Sequence, residues 1–174
     1  MAELIPTEDW KATHGIGHEA FFLDVYRLLC YTLASRAIAE LEDGSSQRPL
    51  SSFVTSDEQS EISRLLVHIA AYYRVKYDDG SWEHGFWLHK NFQGVGSLVE
   101  DISTQVPSVP LDFRDACNKI IHAKRVHFDR AVHEKTGVGY LNPVVYLYGS
   151  KGGKDWKATL EIAQFCRAAG NVIV

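Results

Sequence analysis

Cysteine is scarce in this chain: Cys30, Cys117 and Cys166 are too few and odd in number for a disulfide framework, and no Cys-x-x-Cys pair supplies half of a zinc ribbon. A reduced, cytoplasmic setting is therefore expected. The opening stretch MAELIPTEDWKATHG starts acidic and has no basic segment followed by an apolar run, so no secretory signal is legible. Nothing approaches the ~20 uninterrupted apolar residues of a membrane span, because Asp24, Arg27 and Arg36 break the best candidate. A Gly-x-Ser-x-Gly elbow is missing, and no Ser-His-Asp arrangement can be assembled from the residue order. Internal repeats and low-complexity tracts are also absent.

What remains is 174 residues with 45% hydrophobic and 23% charged content, enough core for one domain over 1–174. The net charge of −4 excludes a protein coated in basic residues, but it hides a gradient. Residues 1–110 hold 8 Lys and Arg against 16 Asp and Glu, whereas 111–157 hold 9 against 5. A local basic surface of this kind suits a few phosphates or an acidic partner, and equally suits one half of the fold neutralising the other.

Residues 17–42 place Phe21, Val25, Leu28, Leu29, Leu33 and Ile38 three or four apart, the spacing of one helical face, and Gly44 with Pro49 stops the pattern. Thr55-Ser56-Asp57-Glu58 has the form of a capping box for a second helix, with Ile62, Leu65, Leu66, Ile69, Tyr72 and Tyr73 facing the core and Asp78-Asp79-Gly80 ending it. The segment 81–110 mixes Trp82, Phe86, Trp87 and Phe92 with glycines and shows no clean period; a short helix around 96–104 is the expectation there. Residues 111–124 predict a third helix with Phe113, Cys117, Ile120 and Ile121 as its core stripe.

From Arg125 the period drops to two. Strands are expected from Arg125 to Asp129, at Val144–Tyr148 and from Trp156 to Ile162, with Gly149–Lys154 as the hairpin loop and a tail helix over Ala163–Ala169 ended by Gly170. The fold class expected is α+β: a helical N-terminal two-thirds, about 17–124, packed with a small antiparallel sheet of about three strands over about 125–174.

The chemistry concentrates in Arg114-Asp115-Ala116-Cys117-Asn118-Lys119-Ile120-Ile121-His122. On a helix, Arg114, Asn118 and His122 recur every fourth residue and drift only ~40° per step, so they form a polar row beside the apolar stripe. Guanidinium can hold a phosphate through two parallel N–H bonds, imidazole exchanges a proton near neutral pH, and a carboxamide orients either. Those are the parts of metal-free RNA cleavage, with Asp115 placed to tune the histidine. Lys119, Lys124 and Arg125 would add backbone contacts, and Lys151 and Lys154 on the hairpin are further candidates. The same row is also what any amphipathic helix shows, with His122 favoured at a helix C-terminus by the dipole.

On Arg114, Asp115 and His122 the chain resembles the HEPN superfamily, helical bundles whose RNase site is an arginine, a polar residue and then a histidine on a late helix. The interval here is one residue longer than the family's, and the sheet after the motif helix is an addition to the family's bundle. The resemblance covers about residues 17–124. It implies a metal-independent endoribonuclease, or a non-catalytic RNA- or nucleotide-binding relative, with two motif helices facing across a homodimer cleft in a toxin or phage-defence setting, where an antitoxin is the protein partner.

Other signals are weaker. His14 with His18, and His84 with His89, lack a third ligand by spacing alone, so neither a metal nor another cofactor is expected. Gly149–Lys154 lacks the Gly-Lys-Ser/Thr entry into a helix of a P-loop, and Gly137-Val138-Gly139 lacks the third glycine of a dinucleotide fingerprint. Cys30 and Cys117 read as small buried apolar residues, and the aromatics from Tyr72 to Trp87 as core. The rival expectation is a non-enzymatic bacterial immunity or accessory factor that binds a protein through its acidic N-terminal half or its hairpin.

Overall fold

The computed structural model describes residues 18–42, 50, 52, 57–78, 93–104 and 106–171. Its elements are α1 (His18–Leu41), α2 (Glu58–Asp78), β1 (Gln93–Val99), β2 (Val109–Asp112), α3 (Phe113–His122), β3 (Arg125–Val132), β4 (Gly139–Lys151), β5 (Lys154–Glu161) and α4 (Ile162–Asn171). The strands form one antiparallel sheet in the order β2-β1-β5-β4-β3. This is an α+β fold, with N-terminal helices followed by a sheet. The three expected strands are present, and β1 and β2 extend the sheet beyond β5.

Helix α1 buries Phe21, Val25 and Leu28, then continues its inner stripe through Thr32, Ser35 and Ala39. Thr32 rather than Leu33 turns inward because its hydroxyl donates to the Leu28 carbonyl at 2.9 Å, leaving no unsatisfied group, while Leu33 stays 55% exposed. Ser35 donates to Glu58 Oε2 at 3.2 Å and accepts the Leu141 N–H at 2.8 Å, so one hydroxyl ties α1 to α2 and β4. Every expected core position of α2 is buried, from Ile62 to Tyr73. Thr55 and Ser56 of the expected capping box lie outside the described residues, as do Gly44, Pro49, Trp82, Phe86, Trp87 and Phe92.

Further expectations are corrected. The segment expected as a helix at 96–104 instead gives its first residues, up to Val99, to β1, since pairing to both β2 and β5 satisfies that backbone and glycines 94 and 96 disfavour a helix. In α3 the stripe is Phe113, Ala116, Cys117 and Ile120; Ile121 falls ~100° beyond Ile120 and is 40% exposed. Helix α4 runs through Gly170 to Asn171. Cys117 is buried as expected, but Cys30 is exposed.

Helices α1, α3 and α4 pack against one face of the sheet, on Val145, Leu147, Trp156, Ala158 and Leu160. Asp112 caps α3 by accepting the Asp115 N–H at 2.7 Å, which fixes where the helix starts and hence which residues its C-terminal turn presents. Among the described residues no helix is long and apolar enough to cross a membrane.

Candidate functional site

The turn joining β4 to β5 is two residues, Gly152 and Gly153, with φ of +59° and +80°. Two positive values in succession favour residues without a Cβ, and they give the tight hairpin whose twist matches its strands. Lys151 and Lys154 are consequently paired directly opposite each other at the tip. Gly149 and Ser150, expected in the loop, belong to β4.

This hairpin leans toward the C-terminal half of α3, and between them lies a groove of about 970 Å³. Asp115, Asn118, Lys119 and His122 reach it from α3, with Lys124 just beyond the helix. Lys151 and Lys154 reach it from the hairpin, Ser150 from β4. Seven of the nine residues selected from the sequence thus meet at one place. Arg125 lies just outside, in an adjoining depression of about 620 Å³ that shares Lys124 and Trp156 with the groove. Arg114 is half-buried and is not among the residues lining the groove.

The floor is Trp156, whose inward position the strand period gives but whose part in the groove it does not. The Trp156 ring is buried, and Lys119 Nζ stands 4.3 Å from the ring centroid. Desolvation in this position holds the Lys119 ammonium below the usual lysine range, with Lys151 pushing the same way and Asp115 opposing. Gly149 makes the close packing possible: a Cβ there would lie 2.2 Å from Trp156 Cζ2 and 3.0 Å from the His122 carbonyl oxygen.

His122 ends α3 with its side chain exposed. Asn118 is engaged from behind, its Oδ1 accepting from Arg74 of α2, which leaves the amide NH2 as the part able to donate into the groove. Lys124 is held from two sides, its N–H donating to the Tyr148 carbonyl at 2.7 Å and its Nζ to Ser150 Oγ at 2.5 Å. Glu100 and Asp115 add two carboxylates at the rim, so the groove is basic without being uniformly so.

A second histidine sits elsewhere. His68 on α2 is held at Nδ1 by the buried carboxylate of Asp24 on α1, which also faces Arg27 at 3.7 Å. No sequence spacing announces this pair, which spans 44 positions. Among the described residues no three His, Cys, Asp or Glu side chains gather as a metal site. His14, His84 and His89 lie outside the described residues, and His18 is described in backbone only.

No family model matches this chain, and no curated protein or solved structure is significantly similar to it.

Proposed function

We propose that the protein binds RNA along the groove between α3 and the β4–β5 hairpin and cleaves it without a metal, as an endoribonuclease of the kind the HEPN resemblance implies. The observation that carries this reading is the convergence of Lys119 and Lys124, from α3 and the link after it, with Lys151 and Lys154, from the β4–β5 hairpin, around an exposed imidazole. Like charges set directly opposite each other on neighbouring strands cost stability. A bound phosphate offsets that cost for Lys151 and Lys154.

In this reading the phosphate-holding role falls to the lysines, since Arg114 does not line the groove. His122 takes the proton from a ribose 2′-hydroxyl, whose oxygen then attacks phosphorus while the bond from phosphorus to the 5′ oxygen breaks. Lys119, already a readier acid through desolvation, donates a proton to the leaving oxygen. The products are a 2′,3′-cyclic phosphate and a 5′-hydroxyl end, and no metal or water enters the step. Asn118 and Asp115 orient the participants.

The test is incubation of purified protein with single-stranded RNA in EDTA. Wild type is expected to cleave, and His122→Ala to lose about 10²–10⁴-fold in rate with an unchanged melting curve. Absence of cleavage by both would contradict the enzyme reading.

A protein-binding role has one observation in its favour: Phe22, Tyr26 and Leu33 on α1 are 41%, 65% and 55% exposed. It moves ahead if the groove binds no RNA.

A further inference from the structure

The helices cover one face of the sheet; the other face carries an aromatic and basic patch that the groove does not account for. Strand period puts Arg125 and His127 of β3, Tyr146 and Tyr148 of β4, and Lys157 of β5 on this outer face, because their neighbours Phe128, Val145, Leu147, Trp156 and Ala158 point into the core. Register then sets them in two rows across the strands. One reads Arg125, Tyr148, Lys157, and the next His127, Tyr146, Thr159.

The rings are arranged as a surface rather than as a core. His127 lies stacked beside Tyr146, with centroids 6.1 Å apart and planes 22° from parallel. Lys157 Nζ sits over both tyrosines, 4.7 Å from Tyr146 and 6.0 Å from Tyr148. A flexible, half-exposed lysine resting on ring faces occupies the place a planar π-system would take. It can swing aside to a phosphate when a base arrives. Asp129 accepts from the Tyr146 hydroxyl at 3.5 Å and from Asn142 at 2.8 Å, so a carboxylate bounds the patch at that end. Arg125 lies at the other end, where the exposed carboxylate of Asp155 lines the same depression.

That end is where the groove opens. The depression of about 620 Å³ joins the two surfaces, since Arg125, His127 and Tyr148 line it together with Lys124 and Trp156 of the groove. A polyanion leaving the groove past Lys124 and Arg125 therefore arrives on the tyrosines.

We propose that the outer face of the sheet at His127, Tyr146, Tyr148 and Lys157 is a stacking platform for unpaired bases of single-stranded RNA whose backbone continues from the groove. The inference rests on the RNA reading of the groove and adds the substrate class to it. Aromatic rings accept any unpaired base, whereas a duplex keeps its bases stacked inside and offers nothing to the platform. Selection for single strands follows.

The experiment measures affinity of the full chain for a labelled single-stranded RNA of mixed sequence and for a duplex of the same length. The doubly substituted Tyr146→Ser, Tyr148→Ser protein is expected to lose about 10–100-fold in single-strand affinity and little toward the duplex. Tyr146→Phe with Tyr148→Phe keeps the rings and is expected to bind as wild type. Unchanged single-strand binding by the serine variant, with loss on Lys151→Ala, Lys154→Ala, would overturn the platform and leave the groove standing. No RNA binding by wild type would overturn both. Should the serine variant melt early, photocrosslinking of wild type to 4-thiouridine RNA decides: crosslinks in residues 125–129 or 144–148 support the platform, and crosslinks confined to 113–124 and 150–156 sink it.

Discussion

A Cβ on Gly149 would stand 2.2 Å from the Trp156 ring, so the groove's floor depends on a residue with no side chain. Gly149→Ala is expected to destabilise the fold by about 1–3 kcal/mol, the usual cost of overpacking, measured by denaturant unfolding. Glu58 is the other residue whose setting leads to a measurable effect. Burial pushes its carboxyl up to about 7, against the lowering influence of Ser35 and Arg130. The folded state thus holds a proton that the unfolded chain releases near its ordinary value of 4.5. Stability from this group is full below that value and falls as pH rises toward about 7. Glu58→Gln is expected to flatten this decline, read as melting temperature against pH between 4.5 and 7. Single residues such as these were only half legible in the chain. The row Asn118, His122 follows from helical spacing, and Lys119 from its neighbours, but which residue leaves the row is a matter of tertiary placement. Arg114 stands about 80° from His122 on an ideal helix, enough for the neighbouring elements to exclude it from the groove.

Among elements, the β4–β5 hairpin connects sequence to the proposed function most directly. Its Gly-Gly turn forces Lys151 and Lys154 into register, and stability is given up to place two cations together. Lys151→Glu is therefore expected to raise stability by about 0.2–1 kcal/mol while weakening RNA binding, a split that thermal melting and an affinity titration detect together. An inert hairpin would show the first effect without the second. Periodicity made α1, α2, α3 and the last three strands readable, because each buries one face at a regular interval. Strand β1 escaped it: glycines at 94 and 96 erase the alternation, and its pairing partner β5 lies some 60 positions away. Helix α1 shows the opposite difficulty. Apolar residues surround it, so sequence alone could not choose between Leu33 and Thr32 for the inner face.

At the scale of the molecule, the charge gradient along the chain divides among elements. The acidic first 110 residues include α1, α2 and β1, while the basic stretch 111–157 includes α3, β3, β4 and the start of β5, and four of its lysines meet at the groove. Local charge on an acidic body suits a polyanion held at one place rather than over the whole surface. Composition revealed the gradient; only the sheet order revealed that its carriers converge. Phosphate binding in the groove is the claim on which the rest depends, and the salt dependence of RNA affinity measures it most directly. For single strands the slope of log affinity against log salt steepens by about 0.7 for each phosphate that the protein neutralises. Lys151→Ala, Lys154→Ala, which gives up two cations, is therefore predicted to have a slope shallower than wild type by about 1.4. Equal slopes for the two proteins, or no salt-dependent binding by wild type, would contradict phosphate binding at the hairpin.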